Sequence, residues 1–134
     1  MVAVMRIMPD TNVMVSAALY PDSKVSRALS EAMQKHSLVI CTHVIEELQD
    51  VFKRKFPQRI GSLDTFLSRM SYELCYTPRI NENTPAMRDE NDRPILQAAI
   101  DAEVEAILTG DADFHALNID SLKIISPAEL LDWV

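Results

Sequence analysis

The chain has 134 residues, 48% of them hydrophobic, which is enough for one core and too few for two comfortable domains. Its formal net charge of −7 argues against tight, salt-driven binding to bulk nucleic acid. Because the sequence has no apolar run of bilayer length and no signal-peptide pattern at its start, we expect one cytoplasmic domain over residues 1–134.

Short apolar runs alternate with helical patterns along the chain. The runs are partly β-branched and have the length of strands, whereas the segments between them repeat apolar residues at helical spacing. This alternation is typical of βα units. We therefore predict an α/β fold, a three-layer α/β/α sandwich around a mainly parallel sheet of four or five strands. The predicted strands are residues 3–8, 38–41, 73–77, 105–109 and 122–125.

Residues with capping side chains stand before the helical patterns. In the clearest case, Ser126 and Glu129 form an S-x-x-E capping box, with Pro127 at the first helical position. One long irregular segment, residues 77–91, has two prolines and several turn formers, and we expect it to be a loop over the sheet edge. The other predicted caps are Ser23, Thr42, Ser62 and Asp92.

Glycine and cysteine usage argues against several common kinds of site. The only glycines are Gly61 and Gly110, so the chain has no glycine-rich phosphate loop of the ATP or dinucleotide type. Cys41 and Cys75 are far apart in the sequence and belong to no CxxC or Cys/His pattern. We expect them to be buried free thiols rather than a disulfide or a zinc site.

Acidic residues occur at corresponding places of the predicted βα units. Asp10 directly follows the first strand, while Asp111 and Asp113 follow the fourth. Glu47 lies next to the apolar face of the second long helix, and Asp92 stands where a later helix begins. Functional groups of an open parallel sheet collect beyond the carboxyl ends of its strands, so these acids can converge on one edge.

Each of these acids alone has a simpler interpretation. Asp10 and Asp92 could be helix caps, Glu47 could be a solvated helix acid, and the two acids of "GDAD" could be turn residues. Their joint occurrence favours a shared site. Clustered carboxylates repel one another unless a cation is present, and an oxygen-only ligand set favours Mg²⁺ or Mn²⁺ over zinc.

A metal held in this way points to phosphoryl hydrolysis, since it can activate water and neutralise charge on a phosphodiester. The three histidines stand in helical or turn contexts, and we do not expect them to be catalytic. They are His36, His43 and His115.

The motifs together resemble the PIN domain, the nuclease fold of many toxins in type II toxin–antitoxin pairs. The segment "DTNVMVSAAL" resembles the family's opening strand, loop and helix with its first acid, and "IEELQDVF" resembles the segment with the second. The third acid falls in "ENDRPILQAA", the fourth and an accessory acid in "ILTGDADF", and the closing "IISPAELL" also fits. The resemblance covers nearly the whole chain.

The resemblance implies a metal-dependent endoribonuclease. Water would attack phosphorus in line and leave a 5′-phosphate and a 3′-hydroxyl, and the substrate class would be single-stranded or looped RNA. The implied catalytic residues and ligands for one or two Mg²⁺ or Mn²⁺ ions are Asp10, Glu47, Asp92 and Asp111, with Asp113 assisting. The implied supports of these ligands, or contacts to the substrate phosphate, are Asn12, Ser16 and Thr109.

The resemblance also implies partners, namely an antitoxin that directs a basic side chain toward the acids and a second copy of the chain in a homodimer. Two alternatives remain. One is a catalytically silent PIN scaffold that binds RNA or protein. The other is a haloacid-dehalogenase-like phosphatase, which needs a second acid where this chain has Asn12. A receiver domain fits less well, because the expected late strand-end lysine is missing.

Two features depart from the expected pattern. Pro9 stands where the family more often has an aliphatic residue, and because proline cannot donate to a ladder, the pairing of the first strand must end or bulge there. The chain is also acidic for an RNA enzyme. Basic residues that could line a groove, or in the "KRK" case only stabilise a helix C-terminus, are Lys53, Arg54, Lys55, Arg59, Arg88 and Arg93.

Overall fold

A computed structural model describes residues 3–133, so residues 1, 2 and 134 of the predicted domain lie outside the described part. The strands are β1 Arg6–Pro9, β2 Ser37–Cys41, β3 Glu73–Cys75, β4 Ala106–Leu108 and β5 Lys123–Ile125. The helices are α1 Thr11–Leu19, α2 Lys24–Lys35, α3 Thr42–Lys55, α4 Ile60–Arg69, α5 Arg93–Asp101, α6 Ala112–His115 and α7 Pro127–Leu131. Two short 3-10 turns span Pro57–Arg59 and Glu90–Asp92.

The five strands form one parallel sheet in the order β3-β2-β1-β4-β5, and the helices flank it. This confirms the predicted α/β fold and all five predicted strands, although β1 begins three residues later than expected. After their first residues, Arg6 and Ser37, β1 and β2 are apolar, and β4 is apolar throughout, because helices cover both faces of a parallel sheet. Ile7, Val39 and Ile107 are accordingly fully buried.

The strand order reverses at the centre of the sheet. From β1 the chain moves outward through β2 to β3, and it then returns to place β4 on the other side of β1. In open parallel sheets, ligand sites form beyond the carboxyl ends of the strands at such a switch point. Those ends are Pro9 and Leu108, which are register partners. Asp10 and Asp111 follow them.

Pro9 interrupts only one side of β1. Successive residues of a strand direct their N–H groups to opposite neighbours, and Asp10 donates its N–H to the Leu108 carbonyl at 3.1 Å. The missing donor of Pro9 therefore faces β2, whose pairing with β1 covers Arg6 and Ile7. The predicted end of pairing is confirmed on the β2 side. It is wrong on the β4 side, where pairing runs through Pro9 and ties Asp10 to the sheet.

Two predicted caps are confirmed. The Ser23 hydroxyl accepts a hydrogen bond from the Ser26 N–H at 3.1 Å, at the start of α2. At the start of α7, Ser126 and Glu129 form the complete capping box, with both bonds at 3.1 Å.

The other cap predictions are wrong in informative ways. The α4 helix begins at Ile60 rather than after Ser62, because the Pro57–Arg59 turn leads straight into it. Thr42 lies inside α3, and its hydroxyl accepts from the N–H of Thr77 at 3.0 Å instead of capping the helix. Asp92 occupies the N-cap position of α5 but makes no capping bond.

A matched pair of serine variants tests this assignment. Ser126→Ala should lower the free energy of unfolding by about 1 kcal/mol, because it removes the capping bond to Glu129. Ser62→Ala should leave that free energy unchanged or slightly raised, because alanine is the better helix former at an exposed helical position. Urea unfolding of the two variants measures both effects. Equal losses would mean that Ser62 does cap a helix.

The prediction of buried free thiols is confirmed for Cys41 and wrong in part for Cys75. Both cysteines are free, although they lie opposite each other on β2 and β3, but Cys75 is partly exposed because β3 is an edge strand. Residues 77–89 are irregular, as expected of the long loop. Within residues 3–133, no helix has both the length and the apolar character needed to cross a membrane.

Candidate metal centre

Asp10 is both a helix cap and a buried carboxylate. Its Oδ1 accepts the N–H of Val13 at 2.8 Å, which caps α1, and its Oδ2 accepts the hydroxyl of Thr109. Only 3% of Asp10 is exposed. The cap interpretation is thus correct for one oxygen, while the other oxygen is held toward the end of β4.

Thr109 connects the acids at the two strand ends. Its hydroxyl donates to Asp10 and accepts the backbone N–H of Asp111 at 2.9 Å. The Oδ1 of Asp111 in turn accepts the N–H of Asp113 at 2.8 Å. Thr109 is fully buried, which favours a role in holding the carboxylates over direct contact with a substrate phosphate.

Three acids form a tight group at this edge of the sheet. Asp92, Asp111 and Asp113 each place one carboxylate oxygen within 4.8 Å of the others, and all three are partly exposed. The Oδ2 of Asp92 is buried and has no hydrogen-bond partner among the described residues. Since Asp92 does not cap α5, its carboxylate is left free to face this group.

Glu47 lies outside the tight group and is held by two side chains. Its Oε1 accepts the hydroxyl of Thr11 at 2.6 Å and pairs with Nε2 of His43 at 3.1 Å. Neither partner was predicted from the sequence. The i,i+4 spacing of His43 and Glu47 on one helix was the signal that could have identified His43.

The same His43 ring also reaches the 3-10 turn that carries Asp92. Its Nε2 lies 3.2 Å from the carbonyl oxygen of Asn91. At the other end of the long loop, the hydroxyl of Thr77 accepts the N–H of His43 at 2.9 Å. The first turn of α3 therefore holds both ends of the loop and positions Asp92 beside Asp111.

The acids are close enough to change each other's protonation. Burial, and then the charges of Asp89, Asp111, Asp10 and Glu47, raise the pKa of Asp92 to about 7. Burial also raises the pKa of Asp10, against the hydrogen bonds from Thr109 and Val13. Burial would raise the pKa of Glu47 as well, but the hydrogen bonds from His43 and Thr11 outweigh it and lower that pKa.

A comparison with protein families decides what kind of domain carries this geometry. A family model described as PIN domain matches residues 6–113. The chain belongs to the PIN-domain family. No curated protein matches the sequence of this PIN domain.

Three of the solved structures that share this fold are VapBC proteins. The PIN domain is similar to a chain of VapBC2 from Rickettsia felis, bound to a DNA fragment from its promoter, with a TM-score of 0.70 and 23% identity over 91% of this chain and 98% of that one. It is similar to a chain of DNA-bound VapBC from Salmonella typhimurium, with a TM-score of 0.68 and 14% identity over 92% and 99%. A chain of VapBC-1 from nontypeable Haemophilus influenzae gives 0.62 and 17% over the same shares.

The donor set of this PIN domain fits a hard divalent cation. The group offers only carboxylate oxygens, which suit Mg²⁺ or Mn²⁺ better than zinc. A cation would also supply a partner for the buried Asp92 Oδ2, and it would offset the burial and the carboxylate repulsion that raise the pKa of Asp92. Family membership and the local chemistry thus both fit a divalent metal ion.

Two predicted polar residues line a cavity beside the acids. Asn12 and Ser16 of α1 enclose about 270 Å³ together with Gly110 and Asp111. A substrate group that entered this space would lie against the loop that carries Asp111.

The predicted basic residues are spread over three places. Arg93 donates to the carbonyls of Thr84 and Pro85 and pairs with Glu90, so it fastens the long loop. Arg88 is 89% exposed and lies 4.0 Å from Asp113. The residues Lys53, Arg54 and Lys55 occupy the last turn of α3, where cations suit the helix dipole, and Arg59 ends the following 3-10 turn.

Proposed function

We propose that residues 1–134 form a single nuclease domain that cuts single-stranded or looped RNA as a metal-dependent endoribonuclease. The observation that carries the proposal is the group of Asp92, Asp111 and Asp113 at the sheet's switch point, with one buried Asp92 oxygen that has no partner in residues 3–133. A site that only stabilised the fold would pair this oxygen, because an unpaired buried polar group is costly. Membership in the PIN-domain family supports the reaction class.

The residues that would hold the Mg²⁺ or Mn²⁺ ions are Asp10, Glu47, Asp92 and Asp111, with Asp113 assisting. When bound, such an ion activates water and neutralises negative charge on a phosphodiester. Thr109 holds Asp10 and orients the backbone of Asp111, so two ligands from different strands keep a fixed separation. Thr11 and His43 likewise fix the direction of Glu47.

We also propose that the protein acts in the cytoplasm as the toxin of a toxin–antitoxin pair and forms homodimers. The similarity to chains of VapBC complexes supports an antitoxin partner. A protein with a net charge of −7 and a concentrated carboxylate group suits a partner that brings a basic side chain to the acids.

The main alternative is a catalytically silent PIN scaffold. Such a scaffold would share the fold, but its function would not require five acids beyond the carboxyl ends of the strands. The phosphatase alternative fits less well, because Asn12 is an exposed residue in the first turn of α1 where that chemistry needs a second acid.

Cleavage of an end-labelled pool of single-stranded RNA tests the proposal. Purified protein should cut in Mn²⁺ and leave 5′-phosphate ends, and it should not cut in EDTA. Asp10→Asn is the matched variant, because asparagine can also accept the cap bond from Val13 while it removes the charge. We expect no cutting by this variant in Mn²⁺. Equal cutting by wild type and variant would point to a contaminating nuclease.

Absence of cutting by the wild type under every metal condition, together with no change of its thermal unfolding in Mn²⁺, would contradict the proposal. That result would favour the silent scaffold. Asp10 would then serve as a cap only.

A further inference from the structure

Helices α2 and α7 line two cavities, one of which contains Asp111. The cavity of about 270 Å³ beside Asp111 is also lined by Val25 of α2 and Pro127 of α7. A second cavity of about 560 Å³ begins at the adjoining residues of the same helices, Lys24 and Ala128. Because consecutive residues of both helices line the two cavities, the cavities are neighbours at the contact between α2 and α7, and we refer to them together as the groove.

The wall of this groove is a single face of α2. Lys24, Arg27, Glu31 and Gln34 line the larger cavity, and their spacing of three or four residues places them in one row. The row extends over about 15 Å, at 1.5 Å per residue of helix. Ser26 and Ser30 supply hydroxyl groups beside it.

Charge along the groove is arranged in order. Lys24 is the sequence neighbour of Val25, which lines the cavity beside Asp111, and Arg27 follows one helical turn later. In residues 3–133 neither Lys24 nor Arg27 forms a salt bridge. Glu31 stands farther along and is paired with Lys35 at 2.9 Å. Asp132 belongs to the same lining. An anionic ligand would therefore be held at the end that adjoins the acids.

Lys24 is poorly placed for the helix itself. It is the first residue of α2, whose first turn has no acidic residue, and a cation there opposes the helix dipole. Arg27 follows one turn later on the same face. Where a residue works against its own helix, the reason is often functional.

We propose that Lys24 and Arg27 bind backbone phosphates of the RNA that lies next to the bond being cut. This inference rests on the proposed nuclease function and extends it to the part of the substrate outside the metal centre. The groove near Lys24 and Arg27 offers positive charge and hydroxyl groups with few apolar side chains, which suits phosphate and ribose. This assignment also explains how a protein with a negative net charge can bind RNA, because two basic side chains next to the site attract phosphate locally.

The salt dependence of cleavage tests this proposal. For single strands, each phosphate contact contributes about 0.7 to the slope of log affinity against log salt concentration. The variant K24Q/R27Q should therefore show a slope of log kcat/KM against log salt, in Mn²⁺, that is less steep than that of the wild type by about 1.4. The charge-retaining variant K24R/R27K should restore most of the wild-type slope.

The variant K53Q/K55Q is the matched control. It removes the same two charges from exposed positions in the last turn of α3, which line neither cavity. We expect it to keep the wild-type slope, and thermal unfolding of all variants should show that they are folded.

The outcomes separate this inference from the proposed function. If the wild type cuts in a metal-dependent way but K24Q/R27Q has the same slope as the wild type, the groove does not bind RNA, and a protein segment becomes the better occupant. Equal flattening in K24Q/R27Q and K53Q/K55Q would show a general charge effect and would also overturn the inference. A wild type that cuts no RNA would overturn the proposed function together with this extension.

Discussion

Asp92→Asn should reduce RNA cleavage on the order of 10²- to 10³-fold and should at the same time stabilise the metal-free protein. The loss is what removal of one preorganised electrostatic group causes in other enzymes. The gain follows because Asp92 has a buried oxygen without a partner in the described part of the chain and a pKa raised to about 7, so its charge is unfavourable in the folded state. At a residue kept for stability alone, the same substitution would lower the free energy of unfolding.

The matched control is Asp89→Asn. Asp89 is three residues away, carries the same charge and caps the 3-10 turn through the Asn91 N–H at 2.9 Å, a bond that asparagine can also make. This variant should retain cleavage. Initial rates on labelled RNA and urea unfolding in EDTA measure the two effects of Asp92→Asn. Near wild-type cleavage by Asp92→Asn would remove Asp92 from the metal centre.

The metal-free protein should become less stable as the pH rises from about 5 to about 8. In the folded state Asp92 keeps its proton up to a pKa of about 7, whereas in the unfolded chain it loses the proton near 4. Between these values the folded state binds more protons, so the free energy of unfolding falls with rising pH and levels off above the folded pKa. The raised pKa of Asp10 acts in the same direction.

Two histidines modify this profile. The hydrogen bond to Glu47 raises the pKa of His43, so its stabilising contribution is present at low pH and is lost as the pH rises through the folded value. Burial lowers the pKa of His36, so this residue has the opposite effect on the pH profile. Its burial destabilises the folded state as the pH falls below the ordinary histidine pKa, because the unfolded chain then takes up the proton more readily. The acids and His43 together should dominate, and the slope should remain negative.

Mg²⁺ or Mn²⁺ should offset this loss of stability at higher pH. An ion that binds only the folded state at a free concentration of 100 times its Kd adds about 2.7 kcal/mol to the free energy of unfolding. The gain should be larger at pH 8 than at pH 5, because protons compete with the ion for the carboxylates. Urea unfolding at a series of pH values, in EDTA and in Mn²⁺, measures both profiles.

Asp92→Asn supplies the control for the pH experiment as well. It should flatten the metal-free profile, because the group with the largest contribution no longer titrates. A wild-type protein whose stability in EDTA rises from pH 5 to pH 8 would contradict the assignment of Asp92 as a carboxylate that is unfavourable when charged.

The fold could be predicted because its main signals are local. Five apolar runs of strand length, separated by helical patterns, indicate a parallel α/β sheet without any knowledge of tertiary contacts. The capping box at Ser126 and Glu129 was equally legible, because every bond in it joins residues three apart. Prediction of the start of α4 at Ser62 was wrong because a 3-10 turn from Pro57 leads into the helix earlier, a continuation that residue preferences do not show.

The candidate site could be predicted as a set of acids but not as a structure. Asp10 and Asp111 were recognisable because each follows a strand, and strand ends meet at one edge of a parallel sheet. Their link through the buried Thr109 hydroxyl, and the hold of His43 on both Glu47 and Asn91, were not recognisable. Those contacts join residues from different elements, so no spacing in the sequence records them.

The amino-acid sequence by itself determined the alternation of strands and helices, and with it which acids stand at strand ends and helix starts. Only the tertiary structure decided that Asp92, Asp111 and Asp113 form the tight group while Asp10 and Glu47 flank it, and that α7 covers α2 to form a groove beside them. The physical reason is the difference in sequence separation between the residues that interact. Hydrogen bonding within a helix or turn depends on near neighbours, whereas the distance between carboxylates of residues 92 and 111 depends on how the packed core places two elements against each other.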